Sequence, residues 1–299
     1  MDSFLHYCRS WFFVHGGEDD ALTAAPSSGS DVLIQELEDF TPPALLPHAR
    51  EIAPEIYAHW RTAGAVVAVR VNPLDAGGMD DLAAVMRGAP DIVALPKVSG
   101  PEQISALDGA VARFEREHGL AEGKTRLLPN LESAKGLTRL TDIVSASPRT
   151  IGCVIASEDL AADLGAERGP DGLELAYARQ RFLFDCVAAG TIAIDCPYTW
   201  RDLAGLEDDT RWAKRLGYKA KSVVASTHAA TINAILTPSQ EEIEEAKQIV
   251  RAFDDARAKN LGRAEVGGSL VELPTYLNAK RLLERAEGIA ANSGHAARR

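Results

Sequence analysis

Five short segments carry the residues best suited to chemistry: Glu36-Leu37-Glu38-Asp39, Arg70-Val71-Asn72, Pro96-Lys97, Asn130-Leu131-Glu132-Ser133 and Ser157-Glu158-Asp159. They amount to a crowd of carboxylates with one arginine and one lysine. Clustered carboxylates repel one another and need a cation between them. Oxygen donors without a neighbouring His or Cys favour a hard ion, Mg²⁺ first, with Mn²⁺ or Ca²⁺ behind it. Mg²⁺ commonly takes only one or two protein carboxylates and leaves positions for water and substrate. Glu132 and Asp159 end adjacent predicted strands at matching depth, which makes them the candidate metal pair. Salt-bridged acids at the rim of a barrel are the alternative for the same spacing.

Each segment ends a short aliphatic run. The runs are Ser10–Val14, Asp31–Leu37, Ala65–Val71, Asp91–Pro96, Arg126–Leu131, Thr150–Ala156, Thr191–Asp195 and Lys221–Ala225. Most are apolar on consecutive residues, as in parallel strands covered on both faces. Helical signals separate them. Ser99-Gly100-Pro101-Glu102 opens a helix that Gly119 stops, Leu173–Ala189 is a second, and Asp202–Leu216 a third with Asp202 as its cap. Eight strand–helix units in about 230 residues predict an α/β fold, a (β/α)₈ TIM barrel. No G-x-G-x-x-G follows the first strand, against the dinucleotide-binding alternative. In such a barrel, chemistry sits where the strands end, and there the five segments lie.

After Thr237-Pro238-Ser239 the composition shifts. A charged amphipathic helix runs from Ser239 to about Lys259, Leu261–Glu272 reads as a Gly-rich connector, Pro274–Ile289 as a second helix and Ala290–Arg299 as a frayed tail. The expected organisation is a catalytic barrel over 1–237 and a C-terminal helical arm over 238–299. An amphipathic arm cannot bury its stripe alone, so it must pack on its own barrel or on a neighbouring subunit.

The chain has 299 residues, is 46% hydrophobic and 25% charged, and carries a formal net charge of −11. That acidity makes nucleic acid and anionic membranes poor partners. No apolar run approaches the roughly 20 residues that span a bilayer. The opening residues lack a basic leader followed by a long apolar stretch. Cys8, Cys153, Cys186 and Cys196 form no C-x-x-C pair and read as reduced core thiols of a cytoplasmic protein.

These residues also sit in recognisable motifs. Arg9-Ser10-Trp11-Phe12-Phe13-Val14, Asp31 to Asp39, Val69-Arg70-Val71-Asn72-Pro73-Leu74-Asp75, Leu95-Pro96-Lys97-Val98, Leu131-Glu132-Ser133-Ala134-Lys135-Gly136 and Ser157 to Gly165 together resemble the HpcH/HpaI aldolase and citrate lyase superfamily, in its citrate lyase β-subunit-like branch. The resemblance runs from about residue 9 to 289. It implies a metal-dependent carbon–carbon lyase that cleaves citryl-, malyl- or citramalyl-type thioesters to an acetyl thioester and a 2-oxo acid, or runs the reverse. It implies Mg²⁺, or Mn²⁺, on Glu132 and Asp159, chelating the oxo-acid end of the substrate. Arg70 would stabilise negative oxygen developing on the thioester enolate. Backbone N–H groups around Ser157-Glu158-Asp159 would hold the substrate carboxylate. Glu38, Asp39 and Lys97 would orient and balance these groups. It also implies that an acid near the C-terminus, here Glu272 where Asp is usual, reaches the site of an adjacent subunit in a homotrimer or a dimer of trimers.

The chain departs from the family pattern in three places besides Glu272. Glu36 stands where Asp is usual, His15 stands where Pro usually follows the first strand, and Ala225-Ser226-Thr227-His228 replaces the usual H-P-S-Q beside the coenzyme A region. Coenzyme A, an acyl-carrier thioester and no carrier therefore all remain open. So do two rival functions: a metal-dependent aldolase on free 2-oxo acids, and a weakened homologue that only binds a metabolite. His228 and His15 read as surface groups before they read as bases. Lys97 reads as a charge balancer before a Schiff-base lysine. Tyr177 and Arg179 read as packing and salt-bridge residues.

Overall fold

The computed structural model describes residues 3–296, with side chains for 4–292. Eight parallel strands close into a barrel in the order in which they occur in the chain. They are β1 (Ser10–His15), β2 (Val32–Glu36), β3 (Val66–Arg70), β4 (Ile92–Leu95), β5 (Arg126–Leu131), β6 (Gly152–Ile155), β7 (Ile192–Asp195) and β8 (Ala220–Val223). All eight runs form strands: β1 extends one residue past its run, to His15, β5 matches its run, and the others are shorter than theirs by at most a few residues. β1 pairs with both β2 and β8, so no barrel edge is left open.

Alternation along the strands sorts the side chains. Phe12, Val14, Leu33, Val67, Val69, Val93, Leu95, Leu127, Leu131, Cys153, Ile155 and Val223 join the core between strands and helices. The alternate residues line the interior, among them Glu36 and Arg70, which stand opposite each other in the β2–β3 register. Gln35, on the other face, anchors the end of β2. Its amide donates to the carbonyls of Gly16 (3.0 Å) and Ala49 (2.9 Å), and Tyr57 Oη donates to it at 2.6 Å. Gly16 is required here, because a Cβ would stand 2.1 Å from the Glu36 carbonyl oxygen.

The helical expectations hold in outline. Pro101–Glu117 is a helix. Leu173–Leu175 is a 3₁₀ turn leading into the Ala176–Ala188 helix. Leu203–Leu216 is capped by Asp202, which accepts from Gly205 N at 2.6 Å.

A second, smaller unit comprises Ser3–Tyr7 and the chain from Thr237 onward. Its Gln240–Ala258 helix has the expected capping box between Ser239 and Glu242. Phe253 stacks on Tyr276 of the Leu273–Ala296 helix at 4.8 Å. The stretch read as a connector is instead an antiparallel hairpin, β9 (Ala264–Val266) and β10 (Ser269–Val271). Gly267 (φ 58°) and Gly268 (φ 80°) form its two-residue turn, with the left-handed backbone that such a turn needs. The expected frayed tail is also corrected: helix continues through Ala296, and Asn292 donates to the Phe4 carbonyl at 3.0 Å. Residues 297–299 lie outside the described residues.

On the outer side of β7 and β8 the barrel holds a buried ion network. Arg179 donates to both oxygens of Asp195 (2.8 and 2.6 Å) and to Asp209 (2.6 Å). Lys221 donates to the same two carboxylates (2.8 and 2.6 Å) and to the Cys196 carbonyl (2.7 Å). Asp195, which ends its strand, thus serves the scaffold, as does Arg179. Tyr177 does not: it is exposed, contrary to its reading as a packing residue. All four cysteines are buried free thiols, and burial pushes Cys196 up to about 12. Among the described residues no helix is long and apolar enough to cross a membrane.

Lys221→Met leaves two buried carboxylates on one guanidinium. It should cost about 3–5 kcal/mol of unfolding free energy in urea titration at neutral pH.

Candidate active site

Arg70 is the centre of the site. It lies at the C-terminal end of β3, buried, with its guanidinium between three carboxylates. Nε donates to Glu36, Nη2 faces Glu38 Oε2 at 3.3 Å, and Nη1 faces Glu132 Oε1 at 3.5 Å. The rings of Phe13 (5.2 Å) and Phe40 (5.7 Å) flank the same guanidinium. Burial alone would lower the Arg70 pKa, but Glu36, Glu132 and Glu38 reverse that and raise it, so the charge is permanent.

Lys97 closes the cluster. It follows β4 with a left-handed backbone (φ 54°), which turns its amine toward Glu38, to which it donates, and toward Asp39 at 3.3 Å. The Glu38 hydrogen bond, with the nearby carboxylates, raises its pKa and keeps it protonated. A charged amine is no Schiff-base nucleophile, so balancing carboxylates is the role its geometry fits.

Glu132 lies just beyond β5 and is buried. Both its carboxylate oxygens lack a hydrogen-bond partner. Desolvation pushes it up to about 8; Arg70 pulls the other way, while the charges of Asp159 and Glu38 add to the rise. Asp159, half-buried in the first turn of the Glu158–Leu164 helix, is therefore within electrostatic reach of Glu132. Burial likewise pushes Glu36 up to about 6 against the pull of Arg70. Among the described residues, five carboxylates (Glu36, Glu38, Asp39, Glu132 and Asp159) thus face two cations, Arg70 and Lys97.

That surplus fits a hard divalent ion beside Glu132, whose two orphaned oxygens are the donors such an ion needs. No group of three or more His, Cys, Asp or Glu is gathered for a metal among the described residues.

The remaining expected site residues fall in different places. Ser157, just before the Glu158–Leu164 helix, is buried with an unpartnered hydroxyl. Glu158 is exposed, and its carboxylate is taken up by Thr199 Oγ1 (2.8 Å) and Arg168 Nε (3.3 Å). Glu272 lies in the smaller unit, exposed between β10 and the following helix. His228 is not the surface group expected of a loop histidine. It is buried at the end of the Ser226–His228 turn, 6.3 Å from the Tyr198 ring. His15 is half-buried, and its Nδ1 faces Gly17 N at 3.4 Å.

A barrel with this cluster at its strand ends can be set beside known proteins. The model of the HpcH/HpaI aldolase/citrate lyase family matches residues 9–226. The chain belongs to that family. It is a carbon–carbon lyase of the citrate lyase β-subunit-like kind. Citrate lyase subunit beta of Escherichia coli (strain K12) is 32% identical over 281 residues, 93% of each chain. A (3S)-malyl-CoA thioesterase of Cereibacter sphaeroides (strain ATCC 17025 / ATH 2.4.3) is 28% identical over 288 residues, 96% of this chain and 97% of that one. The CitE protein of Mycobacterium tuberculosis, solved with magnesium, acetoacetate and coenzyme A, shares the fold with a TM-score of 0.74 at 22% identity, covering 94% of this chain and 99% of that one.

Two residues of the strand-end segments received no role from their types alone. Glu36 makes the direct hydrogen bond to Arg70. Its signal was the strand period, since Glu36 and Glu38 flank Leu37 on alternate positions. Asn130 stands two residues before Glu132, and its Oδ1 is buried without a partner. The same period could have found it.

Burial, then the charge of Lys221, lowers the His228 pKa from 6.5, so the folded state binds fewer protons there than the unfolded chain. Stability from this residue is complete above the unfolded value and is lost as pH falls below it. His228→Gln should therefore show a shallower loss of stability than the parent between neutral pH and pH ~5.5 in urea unfolding. Parallel curves for the two proteins would contradict this.

Proposed function

We propose that the protein is a Mg²⁺-dependent lyase that cleaves a 3-hydroxyacyl thioester of the citryl-, malyl- or citramalyl-CoA class to an acetyl thioester and a 2-oxo acid, acting in the cytoplasm. The observation that carries the reading is Glu132, a buried carboxylate with two orphaned oxygens beside a permanently charged guanidinium. The Mycobacterium tuberculosis CitE structures, crystallised with magnesium and small acids, support it.

Glu132 and Asp159 would hold the metal, with Mn²⁺ the nearest substitute. When bound, the ion supplies a Lewis acid that polarises the carbon–oxygen bond of the oxo-acid half. The protein's own residues supply the rest. Glu36 fixes Arg70 through Nε and leaves the outer N–H groups turned toward the site, where they stabilise the negative charge of the thioester enolate. Glu38 bridges Arg70 and Lys97, which holds the second cation at the mouth and keeps the carboxylate surplus from repelling an anionic substrate. The Ser157 hydroxyl and the adjacent backbone N–H groups hold the substrate carboxylate. Phe13 and Phe40 shield the guanidinium from water and so strengthen its field. Glu272 moves the proton at the acetyl methyl in the site of an adjacent subunit of a trimer or a dimer of trimers. Its extra methylene relative to Asp shifts that carboxylate by about an ångström.

The purified protein, given Mg²⁺ and citryl-, malyl- or citramalyl-CoA, should release a 2-oxo acid and an acetyl thioester, and should leave free citrate and malate intact. Cleavage of the free acids alone would replace this reading with the carrier-independent aldolase. Tight oxo-acid binding without turnover on any substrate would replace it with the metabolite-binding homologue. Glu132→Gln and Asp159→Asn should each weaken Mg²⁺ binding in calorimetric titration by about tenfold or more. Arg70→Lys should keep metal affinity but lower kcat by about 10²-fold, because a point charge cannot replace the planar fork.

A further inference from the structure

Asp163 is an exposed acid in the last turn of the Glu158–Leu164 helix. An exposed aspartate is ordinarily satisfied by water, but this one reaches another element. Its Oδ2 accepts from the backbone N–H of Ala134 at 2.7 Å. Ala134 is the first residue of the Ala134–Thr138 helix, which Ser133 caps by accepting from Gly136 N at 3.1 Å. The Ala134 amide is one of the N–H groups that the start of a helix leaves without an intrahelical partner. Asp163 supplies the acceptor from outside.

The places of these two residues in the chain give the bond its meaning. Ala134 stands two residues after Glu132, and Asp163 stands four residues after Asp159. Positions i and i+4 share one face of a helix. The face that carries Asp159 is therefore the face turned toward the chain just beyond β5. The bond closes a short ring that runs from Glu132 through Ser133 to Ala134, across to Asp163, and back one turn to Asp159. Two like charges one turn apart weaken a helix. Here the Ala134 N–H relieves Asp163, and Asp159 is the acid assigned to the ion. On the other side, Glu158 is held by Thr199 Oγ1 at 2.8 Å and Arg168 Nε at 3.3 Å. The start of the helix is thus fixed from both flanks.

We infer that Asp163 is a positioning residue that sets the separation of Glu132 and Asp159, and so makes their grip selective for Mg²⁺ over Ca²⁺. The inference rests on the assignment of those two acids as the metal pair. Mg²⁺ demands oxygens at about 2.0–2.1 Å in near-octahedral directions, whereas Ca²⁺ accepts them at about 2.3–2.6 Å in flexible arrangements. A tie between the two backbones that carry the ligands therefore matters most for the smaller ion.

Calorimetric titration of the metal-free full chain with MgCl₂ and, separately, CaCl₂ tests this. Asp163→Ala removes the acceptor. It should weaken Mg²⁺ binding by about tenfold or more and Ca²⁺ binding by less than about threefold. The far-ultraviolet circular dichroism of the metal-free protein should stay unchanged. Asp163→Asn keeps an oxygen acceptor without the charge, so it should hold the parent ratio of Mg²⁺ to Ca²⁺ affinity within about threefold. Equal losses for both ions in Asp163→Ala, or an Asp163→Asn ratio as low as that of Asp163→Ala, would show that Asp163 does not act through this bond, and would overturn the inference. Unchanged Mg²⁺ affinity in Asp163→Ala beside weakened affinity in Glu132→Gln would overturn it alone and leave the metal pair standing. A parent that binds neither ion would overturn the metal assignment, and this inference with it.

Discussion

A guanidinium buried at the end of a barrel strand is tolerable only if carboxylates surround it, and carboxylates packed that closely are tolerable only if further positive charge is present. Arg70 sits at the balance point of that constraint. Glu36, Glu38 and Glu132 hold it, Lys97 relieves Glu38, and Asp159 adds further negative charge beside Glu132. The raised pKa of Glu132 comes first from its burial, to which the charges of Asp159 and Glu38 add against the pull of Arg70. The protein has left one position electrostatically unfinished, and the lyase chemistry proposed for it uses that position.

The scaffold contrasts with the site in this respect. On the outer side of β7 and β8, Arg179, Lys221, Asp195 and Asp209 make a network of two cations and two anions in which every hydrogen bond is short and direct. That network closes on itself. Buried ions of both kinds thus occur in one barrel, and what separates them is completeness. Orphaned oxygens mark Glu132, whereas both carboxylates of the Arg179 network are fully engaged. Alternation along β7 turns Asp195 outward toward its helices, while alternation along β2 and β3 turns Glu36 and Arg70 inward.

The site is held in place by groups that take no part in it. Gln35 ties the end of β2 to the Gly16 loop and to the neighbouring helix, and Gly16 allows the loop to touch the Glu36 backbone. The left-handed backbone at Lys97 accompanies the placing of its amine on Glu38. Small conformational choices of this kind convert a common barrel into one with a particular charge pattern at its mouth.

The order of eight aliphatic runs and their helical partners was enough to determine the barrel, because a buried parallel strand needs consecutive apolar residues and a crossover needs a helix. The strand-end position of Arg70, Glu132 and Asp159 followed from the same pattern, as did the family, whose motifs lie on those ends. Tertiary structure alone decided which acid meets which base. Glu36 became the partner of Arg70 through the β2–β3 register, Glu158 was drawn off to Arg168 and Thr199, and His228 was buried by the packing of its turn. The hairpin at Gly267-Gly268 was legible in its turn residues, whereas the helical continuation past Ile289 rests in part on a contact with Phe4 at the far end of the chain. Periodicity is local and survives in the sequence. Pairing between strands, and the balance of charge it creates, depends on residues far apart in the chain and exists only once the barrel has closed.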